Sequence, residues 1–278
     1  MRKITKHLIS LYKTHLLEEE KAPATIEKYI RDVTTFCIWV KKEKLDKTVI
    51  LNYKRHISQS FAPASVNSMI SSINSFFTFN GWLDLKVKTL KIQRQIFLNK
   101  NKELTKNEYE SLLNVAKSKN KKLYLLMQTI CSSGIRVSEL CHITVEAAKQ
   151  QQALIKCKGK MRIVILPHTL CKALLQYAKN QNIPSGCIFV TKSGAPLDRS
   201  NIWKMMKALC KIAKVEKSKV FPHNLRHLFA RTFYNIQKDI VRLADILGHS
   251  SIDTTRIYTM ESGEIHREQI QNLGLIQT

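Results

Sequence analysis

The stretch Pro222-His-Asn-Leu-Arg-His227 carries two histidines and an arginine at helical spacing. On a helix His223 and Arg226 share one face, and His227 lies one turn beyond His223. A histidine beside an arginine can bind the oxygens of a phosphate. Two histidines one turn apart can instead bind a metal ion, but no His-Glu-x-x-His pattern and no obvious carboxylate ligand accompany them. The stretch therefore predicts a phosphate-binding site more readily than a metal site.

Downstream, Leu247-Gly-His-Ser-Ser-Ile-Asp-Thr-Thr-Arg-Ile-Tyr-Thr259 places a tyrosine nine residues after a histidine. Gly248 is expected to end a helix and so to expose His249, and Ile252, Thr255 and Tyr258 share a helical stripe. A phenol, with a pKa of about 10, is a weak nucleophile unless its proton is removed or its oxyanion is stabilised. By itself, Tyr258 is more simply explained as a core or surface aromatic.

Upstream, two further stretches offer cations. In Gly134-Ile-Arg-Val-Ser-Glu-Leu140 the glycine ends one helix and Arg136 opens the next. The dipole at a helix start favours an anion, so an arginine there indicates a ligand, although a surface arginine is an equal alternative. The turn Lys158-Gly-Lys-Met161 joins two β-rich segments and exposes Lys158 to a groove, although such turns are often lysine-rich in basic proteins.

The charge of the chain points to a polyanionic partner. Lys and Arg number 46 against 21 Asp and Glu, a net charge of +25. Residues 1–100 hold 18 basic and 8 acidic residues, a balance of +10, and residues 101–278 hold 28 and 13, a balance of +15. Two basic parts suit a clamp around nucleic acid, because each neutralised phosphate releases counterions. A soluble basic protein without such a partner is the alternative.

The seven cysteines are scattered, with no Cys-x-x-Cys and no zinc-finger spacing. This pattern predicts reduced, mostly buried thiols in a cytoplasmic protein. No apolar run approaches the roughly 18 residues of a membrane span, and no apolar segment typical of a signal peptide follows the start.

Apolar periodicity divides the chain into a helical N-terminal domain (1–82), a linker (83–102) and a second domain (103–278). The first domain reads as four helices. The linker carries six basic residues and one acid, which suits a segment lying on DNA and equally a solvated one. The second domain opens on a capping box at Thr105 and Glu108. It contains a hairpin of residues 153–157 and 162–166, a short strand at 187–191, and helices from Asp198 onwards with a break at Gly248.

Taken in chain order, these stretches resemble the tyrosine recombinase (phage integrase) family. The resemblance covers residues 134–259 and rests on GIRVSEL, KGKMRIVILP, HNLRH and LGHSSIDTTRIYT. The N-terminal half resembles, more generally, the core-binding (SAM-like) domain of that family. The implied fold is mainly α with a small β-sheet: a helical core-binding domain followed by an α+β catalytic domain.

The resemblance implies a set of roles. Tyr258 would attack the scissile phosphate, leaving a 3′-phosphotyrosine and a free 5′-hydroxyl. Arg136 and Arg226 would hold the non-bridging oxygens, and Lys158 would donate a proton to the 5′-oxygen. The remaining assignments are His223 and His249 for phosphate binding and proton transfer, Glu139 and His227 for support, and Lys86, Lys88, Lys91, Arg94 and Lys160 for DNA binding. No metal, ATP or other cofactor is implied, because the tyrosyl bond keeps the phosphodiester energy.

The implied partner is double-stranded DNA, bound by a homotetramer on two recombination sites, with accessory proteins or a partner recombinase as further partners. The expected location is the cytoplasm, on the nucleoid. Residues 262–275 carry apolar side chains that could pack on a neighbouring subunit or fold back on their own domain. The target sequence, and the choice between integration or excision of a mobile element and resolution of chromosomes or plasmids, stay open.

Three alternatives compete with this interpretation. A type IB topoisomerase would nick and reseal one DNA without joining two molecules. A DNA-binding regulator with an idle site would bind DNA without forming an adduct, although the full set of catalytic residue types argues against it. A metal-dependent transposase or nuclease would lose activity in EDTA, and the sequence shows no carboxylate cluster for it.

Overall fold

A computed structural model of the protein describes residues 2–41, 45–92, 102–157, 160–259 and 271–273, without the side chains of residues 156, 157 and 160. The chain divides into two compact units, residues 1–94 and 95–278. Among the described residues, none of the helices combines the length and the apolar character that crossing a membrane requires.

The described part of the first unit contains four α-helices, as the periodicity predicts: α1 (Lys6–Glu18), α2 (Pro23–Val40), α3 (Lys47–Ser60) and α4 (Pro63–Phe79). Prolines in the first turn start α2 and α4, where an amide hydrogen would have no helical partner. The core between the helices is aromatic, and its fully buried members include Tyr12, Phe36, Tyr53, Phe76 and Phe77.

The segment after α4 packs against this unit. Leu85 and Val87 are buried in its core. The Asn74 side chain donates to the Val87 carbonyl (2.8 Å) and accepts from the Val87 amide (3.0 Å). Asn67 binds Leu90 in the same way, at 2.9 and 2.7 Å. The beginning of the predicted linker is thus held to the first unit by two amide side chains that satisfy its backbone groups.

The second unit opens on α5 (Lys106–Lys119), and the predicted capping box between Thr105 and Glu108 is confirmed. Next come α6 (Lys121–Ser133), which is central to the core, and α7 (Val145–Gln150). After the hairpin follow α8 (His168–Asn180), α9 (Arg199–Ala213), α10 (Pro222–Gln237) and α11 (Ile240–Leu247). α6 packs against α10, and α10 packs against α11, which places the ends of these helices near one another.

The predicted hairpin is confirmed as β1 (Gln152–Cys157) paired antiparallel with β2 (Lys160–Ile165), with Ile155 opposite Arg162. Side chains alternate across it: Ile155 and Val164 are buried, whereas Ile163 and Ile165 are exposed. Arg162 has the same parity as Val164, so it lies on the buried face, as expected from the two-residue period of a strand.

Two local predictions are wrong. Residues 187–191 do not form a strand but make isolated bridges, Thr144 with Cys187 and Val190 with Pro196, and the consecutive Ile188 and Phe189 are both buried. The stripe predicted for residues 252–258 is two short 3₁₀ turns, Ile252–Thr254 and Arg256–Tyr258. The first turn starts from an extended Ser251 and leaves Ile252 exposed at the surface, while Thr255 and Tyr258 are buried.

Candidate active site

The first cationic element is built by a glycine. Gly134 ends α6 with a positive φ of 64°, and a Cβ there would lie 2.5 Å from the Phe229 ring, so neither the backbone conformation nor the space suits another residue. The chain then turns to Arg136, whose Nη1 donates to Glu139 Oε1 at 3.0 Å. The Arg136 side chain is 39% exposed, which leaves part of its guanidinium open to a ligand.

Glu139 is the single carboxylate that these described contacts place beside Arg136, and it is almost fully buried. Its Oε2 accepts from the Arg136 amide at 2.9 Å and from Arg162 Nη2 at 2.7 Å. Burial by itself would raise the pKa of Glu139, but the Arg136 amide and the charge of Arg162 lower it overall. Glu139 is therefore ionised and joins the two arginines.

The second cationic element is Arg226 on α10, which is 2% exposed. Its Nη1 donates to the Gly134 carbonyl, and its Nη2 donates to the Leu247 carbonyl at 2.8 Å and contacts His249 Nε2 at 3.0 Å. Burial, and then the charge of Arg136, lower the pKa of Arg226 to about 10, so it stays protonated at neutral pH. Arg226 thus ties together the ends of α6 and α11.

The tautomer of His249 follows from its partners. Arg226 can only donate, so His249 Nε2 must accept and the ring proton lies on Nδ1. His249 Nδ1 then donates to the Thr255 hydroxyl at 2.9 Å. Burial and the charges of Arg226 and Arg136 lower the pKa of His249 to about 4, so the imidazole is neutral.

Tyr258 lies between two histidines. Its ring stacks on His249 with centroids 6.1 Å apart and meets the edge of His227 at 4.9 Å. The residue is 3% exposed and packs with Leu243 and Leu247. Burial raises the pKa of Tyr258, while the positive charge of the neighbouring Arg226 acts in the opposite direction. The phenol is therefore protonated at rest and stands beside a cation that would stabilise its anion.

A third histidine, His223, lies next to His227. The His223 and His227 rings lie 4.4 Å apart, and His223 is exposed where α10 begins. Loss of hydration and the charge of Arg226 lower the pKa of His223. Burial and the neighbouring His223 lower the pKa of His227 to about 4. Within the described ranges, the structure holds no group of three histidines, cysteines or acids that could bind a metal ion.

The structure therefore brings seven of the predicted site residues into one place: Arg136, Glu139, His223, Arg226, His227, His249 and Tyr258. Lys158 and Arg94 lie outside the described residues, as does the side chain of Lys160. Lys86, Lys88 and Lys91 are exposed on the first unit.

Two residues of the site were not singled out from the sequence. Arg162 binds Glu139, and Thr255 binds His249. The sequence did carry a signal for Arg162. Alternate residues of a strand lie on the same face, so Arg162 falls on the apolar face of Val164 and Leu166. Thr255 was expected only to share a helical stripe with Tyr258, whereas in the structure it caps both 3₁₀ turns and binds His249.

Comparison with known proteins identifies the fold and the family. Residues 102–264 match the model of the phage integrase family, and residues 9–82 match the phage integrase N-terminal SAM-like domain. The described fold is that of a tyrosine recombinase. The chain belongs to the phage integrase family.

Similar proteins extend over nearly the whole chain. Tyrosine recombinase XerA of Thermococcus kodakarensis is 29% identical over 280 residues, covering 97% of this chain and 96% of the relative. Tyrosine recombinase XerD of Halalkalibacterium halodurans is 27% identical over 262 residues, covering 84% and 86%.

Solved structures show the same fold. XerH site-specific recombinase bound to its difH substrate has a TM-score of 0.70 at 18% identity, covering 96% of this chain and 85% of that one. A lambda integrase dimer bound to a core site has a TM-score of 0.74 at 16% identity, covering 91% and 94%.

Proposed function

We propose that this tyrosine-type site-specific recombinase cleaves DNA by attack of the Tyr258 oxygen on a backbone phosphate. The tyrosyl oxygen forms a bond to phosphorus as the bond to the 5′-oxygen breaks, leaving a 3′-phosphotyrosine and a 5′-hydroxyl. Attack by a 5′-hydroxyl reverses the step and releases Tyr258. The observation that carries the proposal is the buried phenol between His227 and His249 and beside the Arg226 guanidinium.

In this proposal Arg136 and Arg226 bind the two non-bridging oxygens, where negative charge grows in the transition state. Arg226 now contacts His249 Nε2. If Arg226 Nη2 turns from His249 to the phosphate, His249 Nε2 becomes free to accept the proton of the Tyr258 phenol. His223, exposed beside them, binds a phosphate oxygen, and Lys158 donates the proton that the departing 5′-oxygen needs. Each proton then has a donor and an acceptor without a metal ion or ATP.

The proposed partner is double-stranded DNA. The net charge of +25 supports a long phosphate contact, and the solved XerH and lambda integrase are bound to DNA. We assign backbone contacts to five basic residues: Lys86, Lys88, Lys91, Arg94 and Lys160. We further propose a core-binding domain of residues 1–82, a linker of residues 83–102 and a catalytic domain of residues 103–278. The proposed assembly is a homotetramer on two recombination sites, with accessory proteins or a partner recombinase. The proposed location is the nucleoid in the cytoplasm.

The test is a suicide-substrate assay in magnesium-free buffer with EDTA, using DNA from the flanks of the gene. Wild type is expected to give a protease-sensitive, slowly migrating DNA band on a denaturing gel. Tyr258→Phe should bind the DNA and give no band. The matched control is Tyr177→Phe, because Tyr177 is a tyrosine of the same unit that is also buried, and it should behave as wild type.

The alternatives give different results. Specific binding without a band from wild type would indicate an idle DNA-binding relative, and a band from Tyr258→Phe would remove the nucleophile assignment. A reaction that needs a divalent ion would indicate metal-dependent chemistry. Joining of strands from two differently labelled DNA molecules separates a recombinase from a topoisomerase that reseals one strand.

A further inference from the structure

Three consecutive carbonyl groups at the C-terminal end of α11 each accept a hydrogen bond from a different arginine. Ile246 O accepts from Arg162 Nη1 at 2.6 Å, and Leu247 O accepts from Arg226 Nη2 at 2.8 Å. Gly248 O accepts from Arg136 Nη2 at 3.3 Å. The last carbonyls of a helix lack helical partners and carry the negative end of its dipole, so they attract cations.

Arg162 has less direct access to a phosphate than Arg136. Its side chain is 15% exposed, against 39% for Arg136. Its guanidinium is occupied on two sides, by Ile246 O and by Glu139 Oε2, and its stem lies against the Cα of Gly248. Arg162 is therefore placed to hold other groups and does not face a ligand.

We propose that Arg162 is a positioning residue for phosphate binding: it holds Glu139 and the α11 end so that Arg136 stays open to the DNA. This role rests on the recombinase function proposed above. Arg162 lies on β2, far in sequence from Glu139 and Gly248, and none of its described contacts is with the nucleophile.

Glu139 divides its two carboxylate oxygens unequally between Arg136 and Arg162. Oε1 accepts from Arg136 Nη1, while Oε2 is taken by the Arg136 amide and by Arg162. A guanidinium and a carboxylate form a two-pronged pair when both oxygens are free. By occupying Oε2, Arg162 prevents Glu139 from closing such a pair with Arg136, and the remaining guanidinium hydrogens of Arg136 can reach a phosphate.

The second contact of Arg162, with the Ile246 carbonyl, acts on the loop that carries His249. Arg162 holds Ile246 O and fills the space beside Gly248, and His249 follows directly. Through this contact the hairpin strand fixes the loop that presents His249 to Arg226 and Tyr258. Loss of Arg162 should therefore weaken catalysis by disturbing Arg136 and His249 together, with little effect on the affinity for DNA.

The experiment measures single-turnover cleavage of the suicide substrate at saturating enzyme, together with the dissociation constant for DNA. The variants are Arg162→Met, which keeps an unbranched apolar stem and loses both hydrogen bonds, and Arg162→Lys, whose ammonium does not reproduce the planar fork. The matched control is Arg231→Met. Arg231 is likewise a mostly buried arginine of this unit, bound to Glu103 and to the Leu104 carbonyl at 3.0 Å, and these described contacts include no residue of the site.

We expect Arg162→Met to lower the cleavage rate constant by about 10²-fold, within the range for losing one oxyanion donor. The dissociation constant for DNA and the rate of Arg231→Met should each stay within about threefold of wild type. A second substrate carries a methylphosphonate at the scissile position, which removes one charged oxygen. On the methylphosphonate substrate, wild type should cleave less than about tenfold faster than Arg162→Met, because less negative charge on the phosphate needs to be stabilised.

The outcomes are distinguishable. If wild type forms no adduct, the proposed function fails. If wild type cleaves and Arg162→Met cleaves within threefold of it, the positioning role alone fails. An equal loss on both substrates would show that Arg162 serves only the fold, which overturns the proposal. Circular dichroism checks folding, and if Arg162→Met is unfolded, Arg162→Lys is measured on both substrates under the same criteria.

Discussion

Gly248→Ala is expected to destabilise the second unit strongly, because two separate features require glycine there. The residue has a positive φ of 64°. A Cβ would also lie 2.4 Å from Arg162 Cδ and 2.7 Å from Arg162 Nε. Arg162 is held on both sides by Ile246 O and Glu139, so it can move away only by breaking a hydrogen bond.

The magnitude follows from these two features. The left-handed conformation costs an L-residue about 1–2 kcal/mol. Alanine also makes the unfolded chain less flexible, which offsets about 0.4–1 kcal/mol. Losing one hydrogen bond of a charged group adds about 1.5–3 kcal/mol. Gly248→Ala should therefore lower the free energy of unfolding by about 1.5–4.6 kcal/mol.

The control is Gly194→Ala in the same unit. Gly194 has a φ of 80°, and a Cβ there would meet nothing within 4 Å, so this variant carries the conformational strain without the clash. It should cost no more than about 1–1.5 kcal/mol. Urea unfolding would be followed by the fluorescence of Trp203 in a background with Trp39→Phe and Trp82→Phe, which removes the other two of the three tryptophans.

Equal losses from Gly248→Ala and Gly194→Ala would refute the reasoning, because the clash with Arg162 would then have no energetic weight. A double-mutant cycle sharpens the test. In an Arg162→Ala background the Cβ of Ala at position 248 has room, so the cost of Gly248→Ala should fall to that of Gly194→Ala. An unchanged cost in that background would assign the loss to some other contact.

Three further predictions concern ionisable side chains of the site. Arg136→Ala should lower the cleavage rate by about 10²–10³-fold with little change in stability, since its side chain is 39% exposed. Arg226→Ala should lose as much activity as Arg136→Ala. It should also lower the free energy of unfolding, measured in urea, by at least about 2 kcal/mol, because it leaves the Gly134 and Leu247 carbonyls unpaired. Equal stability of Arg136→Ala and Arg226→Ala would contradict this expectation. Folding lowers the pKa of His227 from 6.5 to about 4. The contribution of His227 to the free energy of unfolding is therefore complete above pH 6.5 and is lost as the pH falls toward 4. The slope of this loss is at most about 1.4 kcal/mol per pH unit. His227→Gln should flatten the dependence of the urea midpoint over that range, and an unaltered slope would exclude His227 as its source.

Local features could be predicted from the sequence because they depend on neighbours a few residues away. The capping box of Thr105 and Glu108, the helix stop at Gly134 and the shared face of His223 and Arg226 are of this kind. Residues 187–191 were misjudged because β-rich composition does not supply a pairing partner, and the backbone there meets other chain segments only at single residues.

By itself, then, the sequence determined the order of helices, the hairpin, the basic character of both parts and the residue types available for phosphate chemistry. Only the tertiary structure decided which of them act together. Arg136 and Arg226 are 90 positions apart and meet at Gly248 and Leu247, because α11 ends there and leaves carbonyl groups without helical partners. The neutral state of His249 and the role proposed for Arg162 depend in the same way on contacts between distant segments, and no local pattern encodes those contacts.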